Sequence, residues 1–498
     1  MAETRKRNAV FIISDQQRHD TMRCYGNEWI QTPSLNALAT QSFVFQRAYV
    51  TQPVCTPSRA SLVTGLTPHT AGPTLNKMVL SPEVRTIAEM VSDDYICGYL
   101  GKWHLGNDVI PQHGFDVWIS AEDGHRAEYT KREYRSHLSD HYHFLVSRGF
   151  QPDEDVAGAR IFSAWGRSQL PEDAQMPAFL AGKAEEFIEA NKDRPFVLCV
   201  STFEPHPPYN GPFNDMYDPT SLPVGPTFLK RPEGAALLNR VRADYYLQYL
   251  NTGLDPSNDR YVKLSAARGH DVTTEAGWRY LRACYLANVT LVDRMVGRIV
   301  AALEKAGVAD NTAFVFTSDH GEMAGDHGML EKRAFYEESS RVPLLIRVPW
   351  LANEQRDVPG NVGQVDLVPT LLDLLEQPIP EYLEGKSIVP VLRDEKTLQE
   401  NDVFMEWTGI SRVIGDRFLG SPAINRMIIH PWRSVVSENW KLNLCAFDQC
   451  ELFDLKSDPY EQHNLFNDPG QKDRIRDLAA RVRLWQFQTR DDAPLPSM

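Results

Sequence analysis

The sequence predicts an α/β protein: one large, mostly parallel sheet sandwiched by helices, with a smaller C-terminal α/β subdomain. Five short apolar segments, Ala9–Asp15, Ile96–His104, Phe196–Glu204, Thr312–His320 and Val342–Val348, are separated by helical patterns. That alternation is what parallel strands joined by helical crossovers produce. The first, third and fourth segments end on Asp15-Gln16, Glu204-Pro205-His206 and Asp319-His320, where open α/β sheets bind their ligands, beyond the carboxyl ends of the strands. At 498 residues, 42% of them hydrophobic, the chain can fill one large or two unequal cores.

In chain order, the Ala9 segment is the first strand. Cys55-Thr56-Pro57-Ser58-Arg59 opens an apolar helical run at a loop-to-helix junction, where unpaired N–H groups and the positive end of the helix dipole favour an anion or anionic nucleophile. Residues 118–180 and 205–275 are rich in charge, Pro, Gly and aromatics with weak periodicity, and are expected as loop insertions over the cleft. Leu281, Tyr285, Val289, Val292, Val296, Ile299 and Leu303 give Arg279–Lys305 the apolar stripe of a long amphipathic helix feeding the Thr312 strand. A helix is expected over Gln364–Leu375, then a break at Pro378-Ile379-Pro380. Short antiparallel strands follow within Arg433–Leu444 and Glu451–Leu455, and a closing helix over Asp473–Gln488. The expected division is a catalytic domain over 1–379 and a smaller subdomain over 380–498.

Lys plus Arg number 52 against 66 for Asp plus Glu, a net charge of −14 that disfavours nucleic acid and anionic membranes as partners. No run reaches the ~20 apolar residues of a bilayer span. Asn8–Ser14 is too short for a signal-peptide core, so a cytoplasmic location is expected. Seven cysteines, an odd number spread over the chain, are not a disulfide framework. Cys97, Cys199 and Cys284 read as buried thiols, and Cys445 and Cys450 lack the second pair a zinc knuckle needs. By local chemistry alone Cys55 is equally a reactive residue or a small packing residue. Arg59 beside it offers a planar fork suited to tetrahedral oxyanions.

Cys55-Thr56-Pro57-Ser58-Arg59 resembles the Cys-x-Pro-x-Arg motif of the type I sulfatases, in which the cysteine is oxidised to formylglycine. The resemblance continues, in order, through the first strand, Thr32-Pro-Ser-Leu, Phe43-x-Phe-x-x-Ala-Tyr49, Gly101-Lys-Trp-His-Leu-Gly106, His206-Pro-Pro, Thr317-Ser-Asp-His-Gly-Glu322 and Leu452-Phe-Asp-Leu-x-x-Asp-Pro459. It covers nearly the whole chain and implies the alkaline-phosphatase-like fold. It also implies a metal site of Asp15, Gln16, Asp319 and His320 with the oxidised Cys55. Mostly oxygen ligands suit one hard divalent cation, with Ca²⁺ favoured and Mn²⁺ or Mg²⁺ as competitors. The family more often has a second Asp where this chain has Gln16, and often Asn where it has His320.

The same resemblance makes Lys102 and Lys332 sulfate-binding residues, His104 the acceptor of a proton from the formylglycine hydrate, and His206 the leaving-group histidine. Period-two geometry would put Lys102 and His104 on one side of an extended segment. Asn76 is a further substrate-contact candidate. Asp326-His327 repeats the Asp-His pair, but a two-metal set looks incomplete, so one metal is expected. The implied reaction is hydrolysis of a small-molecule sulfate ester, with a formylglycine-generating enzyme needed for maturation. Asp15-Gln16 and Asp319-His320 also resemble phosphonate monoester hydrolases, which leaves phosphonate or phosphodiester hydrolysis as an alternative. A non-catalytic anion-binding protein with unmodified Cys55 is another. A homo-oligomer is compatible with the sequence. Trp118, Tyr209, Tyr217, Trp278 and Tyr336 are aromatics that either stack on substrate or pack beneath their own loops.

Overall fold

The computed structural model describes residues 5–152, 154–156, 159–162, 170–409 and 421–497. Its main sheet contains β1 (Asn8–Asp15), β2 (Phe43–Tyr49), β3 (Ile96–Gly101) and β4 (Val117–Ser120). A separate ribbon pairs β5 (Glu154–Val156) with β6 (Ala159–Ile161). The main sheet continues with β7 (Phe196–Pro205), β8 (Thr312–Ser318), β9 (Arg341–Val342), β10 (Leu344–Arg347) and β11 (Arg356–Gly363). The spatial order is β11-β2-β10-β8-β1-β7-β3-β4, with β9 also on β2. β1 runs parallel to both β7 and β8, β3 to β7 and β4, and β2 to β11, while β10 and β9 are antiparallel.

β1 shows why the sheet sits at the centre. Its alternate residues Ala9, Phe11 and Ile13 pack on one face with Leu62, Val63, Leu371 and Leu372, while Val10 and Ile12 pack on the other with Leu180, Phe187, Val292 and Val296. A strand with period-two side chains and helices on both faces is apolar throughout. The helices concerned are Cys55–Thr64 and Leu367–Leu374 on the first face and Met176–Asn191 and Glu275–Lys305 on the second. The expected long helix is therefore present and starts four residues earlier, capped by the Thr274 side chain.

A second, antiparallel sheet runs β12 (Val403–Trp407), β13 (Trp432–Ser437), β14 (Trp440–Leu444) and β15 (Glu451–Asp454). Val435, Leu442 and Leu452 face the closing helix Lys472–Thr489 through Ile475, Leu478 and Val482, whereas Val436 and Phe453 face the main body. The Arg433–Leu444 segment is two strands, parted at Glu438, whose φ of 49° makes the turn.

Several expectations need correction. The strand from Ile96 stops at Gly101, whose φ of 109° leaves the extended region, and the strand from Thr312 stops at Ser318. The Phe43, Val117 and Arg356 strands were not expected, because short or partly polar edge segments carry little periodicity. The insertions are not bare loops: they hold helices at Asp140–Ser147, Met176–Asn191, Leu237–Leu247 and Arg260–Ala267. Among the described residues no helix is long and apolar enough to cross a membrane.

Candidate active site

The ends of β1 and β8 and the start of the Cys55 helix meet at one buried point. Beyond Asp15 the chain turns sharply at Gln16, with φ at 71°, and the Gln16 N–H donates to Asp319 Oδ1 at 3.0 Å, tying the two strand ends together. Cys55 is the first residue of its helix. Its Sγ lies 3.2 Å from His320 Nε2 and 3.9 Å from Asp15 Oδ1. His320 Nε2 is in turn 3.8 Å from Asp15 Oδ1 and 3.6 Å from Asp319 Oδ1. One ligand atom from each of Asp15, Cys55, Asp319 and His320 lies within 4.8 Å of the others, and all four residues are buried.

This donor set fits a divalent cation. His320 Nδ1 is 2.9 Å from the carbonyl of Gly321, which can only accept, so the ring proton sits there and Nε2 turns a lone pair toward two carboxylates. Burial pushes the imidazole below its ordinary pKa despite Asp319, keeping that lone pair available. Burial alone would raise the Asp15 carboxyl, but the Lys102, Arg59 and Lys332 charges hold it well below the usual range, as an anion.

Arg59 does not face the cleft. It is 1% exposed, and its fork donates to Asp319 Oδ2 at 2.9 Å, Asp15 Oδ2 at 3.1 Å, Ser201 Oγ at 2.6 Å and the Lys102 carbonyl at 3.0 Å. It fixes the outer oxygens of the two aspartates instead of meeting a substrate oxyanion, which corrects the reading from its fork shape. Ser58 donates to the Asp319 carbonyl and to Gln364 Oε1. Asn76 accepts the N–H of Thr56 at 3.1 Å and so holds the first turn of the Cys55 helix.

Lys102 Nζ lies 2.7 Å from Asp15 Oδ2 and 4.4 Å above the Phe203 ring. Burial opposes its charge, but Asp15 and Glu122 keep it protonated, with its pKa raised. Lys332 Nζ donates to Gln16 Oε1 at 2.6 Å. The Lys102–His104 segment is not extended as expected, since His104 has a φ of 58°. The His104 backbone N–H donates to Asp108 Oδ1 at 2.7 Å, and its ring stacks 4.2 Å from that of His125, with neither ring nitrogen hydrogen-bonded among the described residues. Burial, then the His125 and Lys102 charges, hold His104 neutral. Burial and Lys332 do the same to His206, whose Nδ1 faces the Pro207 carbonyl at 2.7 Å. Burial, reinforced by Asp15, pushes the Cys55 thiol up to about 11.

Beside His206 opens a cavity of about 300 Å³, walled by Glu122, Glu204, Tyr142, Phe203 and Asn288 among others. Of the aromatics picked from the sequence, Tyr209 reaches the site, donating to Glu322 Oε2 at 2.6 Å. Trp118 stacks on Tyr99 at 5.2 Å, Tyr217 bonds Thr290, the Trp278 ring N–H donates to the Val272 carbonyl and Tyr336 stacks on His327. Asp326-His327 forms no second cation-ready cluster among the described residues: Asp326 Oδ2 accepts from Arg18 at 2.7 Å and Arg282 at 3.0 Å, and Glu338 Oε2 lies 3.8 Å from His327 Nε2. Cys445 and Cys450 are buried thiols, the latter 3.5 Å from the Cys445 carbonyl.

Glu322, His125, Glu122 and Ser201 were missed in the sequence. Glu322 sits in the Asp319-His320-Gly321-Glu322 run and was findable as a third acid at a strand end. The other three contribute through tertiary contacts alone.

The protein-family model described as Sulfatase matches residues 7–377, and that described as N-sulphoglucosamine sulphohydrolase, C-terminal, matches 325–488. The chain is 28% identical to the uncharacterized sulfatase YidJ of Escherichia coli, over 93% of this chain and 83% of that protein. It is 29% identical to the choline-sulfatase of Rhizobium meliloti, over 98% of this chain and 89% of that one. Among solved structures, a phosphonate monoester hydrolase from Silicibacter pomeroyi superposes with a TM-score of 0.76 at 23% identity, over 98% of this chain and 96% of that one.

Proposed function

Since this chain belongs to the sulfatase family and is a sulfuric ester hydrolase, we propose that it cleaves a small-molecule sulfate ester to an alcohol and inorganic sulfate, using formylglycine made from Cys55. Residues 1–379 form the catalytic domain and 380–498 the smaller subdomain. One observation carries the proposal: Cys55 Sγ lies 3.2 Å from His320 Nε2 and 3.9 Å from Asp15 Oδ1, inside the only cation-ready cluster among the described residues. Asp15, Asp319, His320 and the oxidised Cys55 would hold one divalent cation, Ca²⁺ favoured, with the imidazole keeping Mn²⁺ in competition, while the Gln16 amide is engaged by Lys332 and Glu322. Such a cation lowers the pKa of a hydroxyl bound to it and offsets charge on sulfuryl oxygens. Formylglycine, as its hydrate, supplies one hydroxyl for attack and a second whose deprotonation releases sulfate.

The chain's own residues do the remaining work. Arg59 holds Asp15 and Asp319 rigid, which pre-organises the charge that faces the ester. Lys102 and Lys332 take sulfate oxygens. His104, neutral and with ring nitrogens that have no hydrogen-bond partner among the described residues, accepts the proton of the second hydroxyl. The single ring proton of neutral His206 is directed at the Pro207 carbonyl, so Lys332 is the better donor to the departing alcohol. The alcohol part occupies the cavity beside His206.

Mass spectrometry of the peptide spanning Cys55 tests the proposal, after co-expression with a formylglycine-generating enzyme. Conversion of the thiol to an aldehyde with gain of sulfatase turnover is expected. Cys55→Ala abolishes turnover, and Cys55→Ser traps sulfated enzyme; full multiple turnover by the serine variant would overturn the mechanism. Neutral Gln16 favours one second reading, phosphonate monoester or phosphodiester hydrolysis. Parallel kinetics on aryl sulfate and phenyl phosphonate esters separate the two.

A further inference from the structure

The two lysines of the site have unlike partners. Lys102 is ion-paired with the Asp15 carboxylate at 2.7 Å. Lys332 instead meets the neutral amide oxygen of Gln16 at 2.6 Å, and among the described residues no carboxylate forms an ion pair with it. Buried Lys332 thus has no direct ion pair among the described residues, although the Asp15 and Glu331 carboxylates act on it from farther away, and one of its three N–H bonds is used on a neutral acceptor.

Glu322 decides which end of the Gln16 amide faces Lys332. Its side chain is fully buried. Oε2 accepts from Tyr209 O–H at 2.6 Å and from Gln16 Nε2, while Oε1 accepts the backbone N–H of Ala324 at 2.8 Å and of Glu331 at 2.6 Å. An amide whose NH₂ group lies on a carboxylate must turn its oxygen to the other side, where Lys332 waits. The bond to Glu331 also pins the residue immediately before Lys332 in the chain. Four donors converge on this one carboxylate, and a neutral glutamine in its place offers a single acceptor oxygen.

We infer that Glu322 is a positioning residue for anion binding: acting through Gln16 and the Glu331 backbone, it presents Lys332 to sulfate with its charge unpaired. The inference rests on the reading of Lys332 as a sulfate-binding residue. Calorimetric titration of the metal-loaded enzyme with inorganic sulfate tests it, with metal content and melting temperature measured on each variant. Lys332→Ala should weaken sulfate binding about 100-fold and Glu322→Gln at least about 10-fold, the scale of bonds made to a charged group, with metal content unchanged.

A merely structural Glu322 would instead lower the melting temperature in Glu322→Gln while the folded protein binds sulfate with unchanged affinity, and that result overturns the inference. Tyr209→Phe removes one of the four donors and covers the case in which Glu322→Gln does not fold; it should weaken sulfate binding about threefold or more, and unchanged affinity overturns the inference. Unchanged affinity in Lys332→Ala would sink the sulfate-binding reading itself. Weakened binding there with unchanged binding in Glu322→Gln would sink the positioning role alone.

Discussion

Asp319-His320 and Asp326-His327 are the same dipeptide seven residues apart, all four side chains at most 2% exposed, yet they sit in opposite chemical surroundings. Around the first pair the facing atoms are acceptors: Asp15 Oδ1 and Asp319 Oδ1, at 3.8 and 3.6 Å from the His320 Nε2 lone pair. Such an arrangement is stable when a cation sits among them. Around the second pair donors reach the aspartate, while His327 Nε2 lies 3.8 Å from Glu338 Oε2. Asp326 is already balanced by Arg18 and Arg282, and the His327 ring lies 3.8 Å from Tyr336 in a stack. Asp319 is paired too, through Oδ2 with Arg59, but its Oδ1 still faces His320 Nε2, whereas Asp326 Oδ1 faces the Thr227 hydroxyl.

Replacing each aspartate breaks or sharpens that contrast. Asp319→Asn should lower kcat/KM at least about a thousandfold, the several kcal/mol a cation contributes to such a transition state, and should lower bound metal by elemental analysis. Asp326→Ala should leave bound metal at one equivalent but cost about 3–5 kcal/mol in urea unfolding, because two guanidinium groups lose a buried counter-charge. Loss of a metal equivalent from Asp326→Ala would erase the distinction.

The histidines differ in a smaller, pH-dependent way. Burial pushes His327 down to about 4 despite the Asp326 carboxylate, so the folded protein keeps it neutral. Below its ordinary value of 6.5 the unfolded chain takes up a proton that the folded one refuses. Its contribution is therefore full above pH 6.5 and is lost as pH falls toward 4, by up to about 3 kcal/mol. His327→Gln should flatten the fall in unfolding free energy across that window, and an unchanged slope would show that His327 is not its source.

Legibility in the sequence followed periodicity and local motif. The first strand, the long helix and the closing helix were readable because each carries one unbroken pattern over many residues. Phe43–Tyr49, although quoted as a motif, was not seen as a strand, and the helices within 118–180 and 205–275 were hidden by charge and short length. Cys55, Asp15, Asp319 and His320 were nameable and do converge, because strand ends of a parallel sheet lie on one edge. Arg59 was nameable too, but its direction was not. Glu322 and the His125 stack on His104 left no local mark, since their partners lie 306 and 21 residues away in the chain.

By itself the sequence determined which groups exist and in what order: an α/β sheet, a cysteine at a helix start, acids at strand ends and a surplus of negative charge. Tertiary structure decided what each group faces. It gave Lys102 a carboxylate and Lys332 an amide, turned Arg59 inward, and gathered one Asp-His pair with Asp15 and Cys55 while making the other an anchor for Arg18 and Arg282. The reason is range: hydrogen bonds and ion pairs act over a few ångströms, and only folding brings residues hundreds of positions apart to that distance.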